Sequence, residues 1–126
     1  MSLKTPLSRV KGLGSAKKGV AHFWMQRVTA AALIPLLGWL LASIVAYSAA
    51  DYDAAILYLK DPINVTLLLL LMVAAFTHVR LGLQVVIEDY IHREATKVAL
   101  FVLVNFAAIG LAALGIVSLL SIAFSR

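Results

Sequence analysis

The run INVTLLLLLMVAAFTHVRLGLQVVI, residues 63–87, combines the length of a transmembrane helix with side chains that are rare in lipid. A helix needs about 20 residues to cross a bilayer, at a rise of 1.5 Å per residue. The run meets that length, yet it carries His78, Arg80 and Gln84. Because ionisable groups are expensive inside a membrane, His78 is a candidate for a functional role. The long side chain of Arg80 is expected to extend its charge to the membrane interface.

Two further apolar runs flank the first, VTAAALIPLLGWLLASIVAY at 28–47 and VALFVLVNFAAIGLAALGIVSLLSIAF at 98–124. The 126-residue chain is 63% hydrophobic and 13% charged, whereas soluble domains are about 45–50% apolar and about 25% charged. Its mean hydropathy is +0.98. We therefore expect an all-α membrane protein, a single domain over residues 1–126 with three transmembrane helices at 28–47, 63–87 and 98–124.

Composition also excludes several classes of function. The chain has no cysteine, so it cannot itself ligate an iron–sulfur cluster or act through a thiol. Its net charge of +5 lies at the flanks of the apolar runs, which argues against nucleic acid as a partner. The first run is too long for the core of a signal peptide, and we expect a retained helix.

The distribution of lysine and arginine predicts the orientation of the chain. The residues before the first span include Lys4, Arg9, Lys11, Lys17, Lys18 and Arg27. The first loop sets Lys60 against three aspartates, whereas the second loop carries Arg93 and Lys97. Because basic residues stay on the cytoplasmic side, we expect the N-terminus and the loop after Tyr90 to face the cytoplasm.

Local signals refine the helices. Asp61 followed by Pro62 is typical of an N-cap and first helical residue. Pro35 lies inside the first span and is expected to kink it. Small residues on one stripe of the third span favour close packing on another helix; they are Ala108, Ala112 and Gly115.

His78 is the strongest candidate for a metal ligand. It lies about 14 Å inside the cytoplasmic end of its span. At about 100° per residue, Gly82, Val85 and Asp89 share its stripe, whereas Arg80 points elsewhere. Neutral imidazole is a common axial ligand of haem iron, and Gly82 would leave room for a flat macrocycle. A hydrogen bond from a buried histidine to another helix explains the position equally well. His22 and His92 lie at the wrong depth for a second axial ligand, which another chain would have to supply.

Asp89 and Tyr90 follow on the same helix, where lipid meets water. A tyrosine hydroxyl can donate to a quinone carbonyl, and a carboxylate can relay protons. The alternatives are an interfacial aromatic belt for Tyr90 and a helical ion pair of Asp89 with Arg93. Arg27 suits an anionic group such as a haem propionate, or serves as a positive-inside anchor.

The segment HVRLGLQVVIEDY resembles a family signature, H-x-x-x-G-x-x-x-V-x-x-D-Y, through His78, Gly82, Val86, Asp89 and Tyr90. That signature is typical of the small hydrophobic membrane-anchor subunit of succinate dehydrogenase, the SdhD type. Upstream, GVAHFWMQRVTAAALIPL is similar to the family's entry into its first helix, with Arg27 at the family's arginine position.

The resemblance implies half of a heterodimeric haem-binding helical bundle, completed by a second anchor of the cytochrome b type. A flavoprotein subunit and an iron–sulfur subunit would complete the complex, so the chain is not an enzyme on its own. His78 would be an axial ligand of haem b, and Arg27 would contact a propionate. Tyr90 and Asp89 would bind and help protonate ubiquinone, in a bacterial inner membrane.

Two alternative functions remain open from the sequence. One is the anchor of a related quinol:fumarate reductase. The other is a small helical transporter or a purely structural membrane subunit, in which His78 and Asp89 form a proton relay.

Overall fold

The computed structural model describes Leu7 and residues 17–125 of the chain. Four helices follow one another in that part: α1 at Lys17–Ala46, α2 at Tyr52–Lys60, α3 at Pro62–Tyr90 and α4 at Glu94–Ala123. Helices α1, α3 and α4 are long and apolar enough to cross a membrane, which confirms the predicted all-α membrane fold. The basic residues that precede Lys17, and Arg126, lie outside the described residues.

The transmembrane helices are longer than the apolar runs that predicted them. Helix α1 begins at Lys17 and not near Val28, because residues 17–27 contain no proline that would interrupt it. Pro35 itself lies within the helix, which continues on both sides of it. Helix formation depends on backbone hydrogen bonds and not on apolar side chains, so a helix readily extends into the interface.

Helix α2 was predicted as part of a loop, and the structure corrects this. The Asp51 side chain caps the helix by accepting a hydrogen bond from the Ala54 amide at 3.0 Å. Asp53 lies in the first turn and Lys60 in the last turn, where their charges favour the helix dipole. A helix this short buries no residue of its own and leaves no clear periodicity in the sequence.

The start of α3 agrees with the sequence. One carboxylate oxygen of Asp61 accepts from the amides of Ile63 at 2.9 Å and Asn64 at 3.1 Å. Pro62 takes the first helical position, where its missing N–H would have had no partner. The N-cap prediction is confirmed, and it fixes where the second span begins.

Helix α3 packs against both α1 and α4, whereas no close approach of α1 to α4 is found among the described residues. Most of the buried apolar residues belong to it; they are Leu71, Ala74, Leu81 and Ile87, with Leu119 from α4. The small-residue stripe of α4 faces α3, as predicted. Gly115 lies against the tip of Met72, and Ala108 and Ala112 line a shared cleft with α3.

Helix α2 joins the ends of α1 and α4. The Tyr58 hydroxyl donates to Ser43 Oγ of α1, and the Tyr58 ring lies 4.3 Å from that of Tyr47. At the end of α2, Lys60 Nζ donates to the Ser125 carbonyl oxygen at 2.8 Å. The short helix thereby connects the first loop to α1 and to the end of α4 by hydrogen bonds.

Candidate functional site

His78 lies on α3 and faces Thr29 of α1. Its Nδ1 atom is 3.1 Å from Thr29 Oγ1, within hydrogen-bonding distance. Thr29 is 7% exposed, and among the described residues it is the only polar one that is buried. The interhelical hydrogen bond, one of the two roles expected for His78 from the sequence, is therefore present. It involves only one ring nitrogen, so it does not compete with a ligand at the other.

An open cleft adjoins the imidazole of His78. Its volume is about 320 Å³, and all its lining residues belong to α1 and α3. They are Phe23, Gln26, Arg27, Ala30 and His78. The Arg27 guanidinium carbon lies 5.0 Å from the centre of the Phe23 ring, a cation–π distance that holds the charge at the cleft. The structure thus brings together His78 and Arg27, which are distant in sequence.

Gly82 also faces α1, as its position on the His78 stripe predicted. A Cβ at residue 82 would meet only the Gln26 side-chain nitrogen, at 3.7 Å, which is ordinary van der Waals contact. A single methyl group would therefore fit at residue 82 in the chain alone.

Asp89 and Tyr90 occupy the last turn of α3, and both are exposed. The Tyr90 side chain is 74% exposed. Because α3 ends at Tyr90, Asp89 and Arg93 do not share a helix, and the predicted alternative of a helical pair between them is wrong. Neither side chain lines the His78 cleft, and both lie about 16–18 Å from His78 along the axis of α3.

Arg80 faces α4, on a different side of α3 from His78, as the helical wheel predicted. Its Nη1 donates a long hydrogen bond of 3.4 Å to Asn105 Oδ1, and Asn105 Nδ2 donates to the Phe101 carbonyl oxygen at 2.7 Å. The guanidinium therefore has a hydrogen-bond partner on the neighbouring helix. The sequence had predicted that the Arg80 side chain would extend to the membrane interface. Asn105 was not recognised from the sequence, although a polar side chain inside the third span was the available signal.

His22 lies in the first part of α1, where it lines a second cleft with Gly19, Gln84 and Glu88. Its Nε2 atom is buried and has no hydrogen-bond partner among the described residues. Gln84 Nε2 donates to Glu88 Oε1 at 3.1 Å across one turn of α3. This cleft is separate in its lining residues from the one that contains His78.

Four residues of the His78 site were missed by sequence reasoning: Thr29, Phe23, Gln26 and Ala30. Thr29 stands in an apolar run in which threonine is common, so its type alone gave no signal. Phe23 and Gln26 precede the predicted start of the first span. Phe23 precedes Arg27 by four residues and Gln26 precedes Ala30 by four. These spacings would have placed them on one face, had the predicted helix been extended to Lys17.

Comparison with known proteins extends these observations to a family. Residues 1–120 match the family model described as succinate dehydrogenase/fumarate reductase transmembrane subunit. The succinate dehydrogenase hydrophobic membrane anchor subunit of Rickettsia bellii is 37% identical over 106 residues, which cover 84% of this chain and 85% of that protein.

Relatives from other organisms give the same result. The succinate dehydrogenase membrane anchor subunit of Porphyra purpurea is 35% identical, over 93% of this chain and 98% of that protein. That of Reclinomonas americana is 32% identical, over 74% and 80%. No solved structure gives a significant match. With three apolar helices and a family match over nearly its whole length, the chain belongs to the family of succinate dehydrogenase/fumarate reductase transmembrane subunits.

Proposed function

We propose that the chain is a membrane-anchor subunit of a succinate:quinone oxidoreductase, in which it helps to bind haem b and ubiquinone. The observation that carries the proposal is the cleft shared by His78 and Arg27 on α1 and α3. The partners would be a second cytochrome b-type anchor, an iron–sulfur subunit and a flavoprotein subunit. We place the complex in a bacterial inner membrane, with the N-terminus of this chain in the cytoplasm.

The residues of the cleft fit the edge of a haem. The described residues hold no group of three or more His, Cys, Asp or Glu side chains that could bind a metal ion by themselves. The cleft offers one imidazole, one guanidinium and an apolar wall from Phe23 and Ala30. Haem needs axial ligands, a hydrophobic surround and a cation for its propionates. His78 would provide one axial ligand, and the second anchor would provide the other.

When bound, haem supplies one-electron redox chemistry, and the protein supplies position and electrostatics. Arg27 would hold a propionate through its planar fork of N–H donors. Phe23 keeps the guanidinium at the cleft through the cation–π contact. Ala30, a small residue on the same wall, limits the bulk of α1 beside the ring.

The quinone would bind at the cytoplasmic end of α3. Reduction of a quinone to a quinol consumes two electrons and two protons. The Tyr90 hydroxyl would donate a hydrogen bond to one carbonyl oxygen, and Asp89 would deliver protons from water. The exposure of both side chains supports a pocket whose other walls belong to partner subunits. Electrons from succinate would reach this site through the iron–sulfur subunit.

A quinol:fumarate reductase anchor is the second candidate, because the family description names both enzymes. The relatives compared above are named for succinate dehydrogenase, which supports the first candidate. The two differ in the direction of flux. Rates of succinate oxidation and of fumarate reduction, measured on the same purified complex with matched quinone and quinol, distinguish them.

The haem proposal is tested on the purified complex by optical difference spectroscopy. The wild-type complex is expected to show a reduced-minus-oxidised band of b type, and His78→Ala should abolish or strongly diminish it. His92→Ala is the matched control, because His92 is exposed and lies between α3 and α4. A wild-type complex without the band would overturn the haem proposal. An unchanged band in His78→Ala would remove His78 as a ligand.

A further inference from the structure

The Thr29 hydroxyl has more possible partners than it has protons. Its oxygen lies 2.8 Å from the Met25 carbonyl oxygen, 3.0 Å from that of Gln26 and 3.1 Å from His78 Nδ1. Both carbonyl oxygens can only accept a hydrogen bond, whereas a neutral imidazole nitrogen either donates or accepts. The single hydroxyl proton therefore determines the tautomer of His78.

The geometry directs that proton to the backbone. A separation of 2.8 Å is the usual length of an O–H···O bond, and 3.1 Å falls within the usual range for an N–H···O bond. Other hydroxyls of the chain donate to the carbonyl four residues earlier, at 2.7–2.8 Å; they are Ser43, Thr66, Ser118 and Ser121. Thr29 follows the same pattern toward Met25. Its lone pairs are then left for His78, which must donate from Nδ1.

We propose that Thr29 is a positioning residue that holds His78 as the Nδ1–H tautomer, with the lone pair of Nε2 free to bind iron. This inference rests on the proposed function, since it assigns the geometry of the haem ligand. In neutral imidazole only one nitrogen carries a proton, so a donor at Nδ1 leaves an acceptor at Nε2. His78 lines the cleft, and Nε2 is the nitrogen that Thr29 does not occupy.

Two consequences for haem binding follow from this hydrogen bond. It fixes the rotation of the ring, because Thr29 is buried and its hydroxyl is itself held by the backbone of α1. It also makes the imidazole more electron-rich, as acceptors at the distal nitrogen of metal-bound histidines do. Loss of the acceptor should therefore weaken the iron–imidazole bond and raise the midpoint potential of the haem.

The variants Thr29→Val and Thr29→Ser isolate the hydroxyl. Valine keeps the branched shape and removes the oxygen, whereas serine keeps the oxygen. In the purified complex we expect Thr29→Val to shift the midpoint potential upward, and Thr29→Ser to stay near wild type. Transfer of haem to apomyoglobin should be about 10-fold faster in Thr29→Val, since supporting partners of a ligand are worth about 10–100-fold in metal affinity.

Thr66→Val is the matched control. Thr66 makes the same hydrogen bond to the carbonyl four residues earlier, but it is exposed, and no hydrogen bond joins it to a histidine of the described residues. Haem in that variant should match the wild type in both measurements. A haem-free wild-type complex would overturn the proposed function itself. A haem-loaded Thr29→Val complex with unchanged potential and transfer rate would overturn the role of Thr29 alone.

A direct measurement covers the case in which Thr29→Val fails to assemble. Nitrogen-15 NMR of the wild-type full chain in nanodiscs, with labelled histidine, distinguishes protonated from unprotonated ring nitrogens. We expect the His78 signals to report a proton on Nδ1 and none on Nε2. A proton on Nε2 in the wild-type chain would overturn the inference without recourse to any variant.

Discussion

Gly115 of α4 lies so close to Met72 of α3 that a Cβ at residue 115 would overlap the methyl end of the methionine. Gly115→Ala should therefore push the Met72 side chain aside. Overpacking costs about 1–3 kcal/mol, and methionine adapts easily, so we expect a loss near 1 kcal/mol in unfolding free energy. Denaturation of the full chain in mixed micelles measures it.

Gly110 provides the control for this substitution. It lies on the same helix, and a Cβ there would meet nothing within 4 Å. Gly110→Ala should leave stability unchanged or raise it, because alanine is the better helix former. In a Met72→Ala background Gly115→Ala should no longer destabilise the chain, as at Gly110. If the loss persists there, the contact with Met72 is not its cause.

Arg80 and Asn105 should be coupled in free energy across α3 and α4. Interhelical hydrogen bonds in membranes average about 0.6 kcal/mol in double-mutant cycles, and the length of this one argues against a higher value. We predict a coupling of about 0.6 kcal/mol between Arg80→Leu and Asn105→Leu, measured by the same denaturation. The corresponding cycle with Ser118→Ala, whose hydroxyl bonds within α4, should give none. Equal couplings in the two cycles would contradict the assignment.

Tyr90→Phe should impair quinone reduction specifically. A neutral hydrogen bond contributes about 1 kcal/mol, so we expect a rate about five-fold lower with ubiquinone. Succinate oxidation with a soluble electron acceptor should be unchanged, because it does not involve this end of α3. Tyr52→Phe is the control: Tyr52 is 78% exposed, but it lies on α2, at the other end of the spans. Equal quinone rates in wild type and Tyr90→Phe would exclude the tyrosine as a hydrogen-bond donor.

Asp61→Ala should destabilise the start of α3 by about 1 kcal/mol, the usual effect of losing an N-cap. Asp61→Asn should retain most of the stability, since the amide oxygen can accept from the same two backbone amides. Thermal unfolding of both variants, monitored by circular dichroism in detergent, measures the difference. Equal melting temperatures for alanine and wild type would show that the cap does not limit stability.

The transmembrane fold could be predicted because hydropathy reports directly what lipid requires. The starts of the helices were harder, as α1 shows. Gln26 and Arg27 are polar, and they sit in helical turns that hydropathy assigns to the flank. Helix α2 gave a weak signal through Asp51 and Lys60, its cap and its last residue, but nine residues are too few for a periodic pattern.

From the sequence, the site could be predicted only for residues of a single helix, because a helical wheel relates positions within that helix alone. The wheel gave the direction of His78 along α3, but not which helix it would meet, so Thr29 could not be identified. Arg27 and His78 are brought into one cleft by the packing of α1 on α3, which no local pattern records. Asp89 and Tyr90 remain predictions, because both side chains are exposed in this chain.

All the residues that line the His78 cleft come from α1 and α3, and none from α4. The short segment 91–93 therefore separates the two helices that form the cleft from α4, which contributes no residue to it. Substitutions in α4 can therefore affect the imidazole only indirectly, through their contacts with α3. The third span is thus free to change its outer face to suit different neighbours, while the two-helix unit that presents the histidine stays the same.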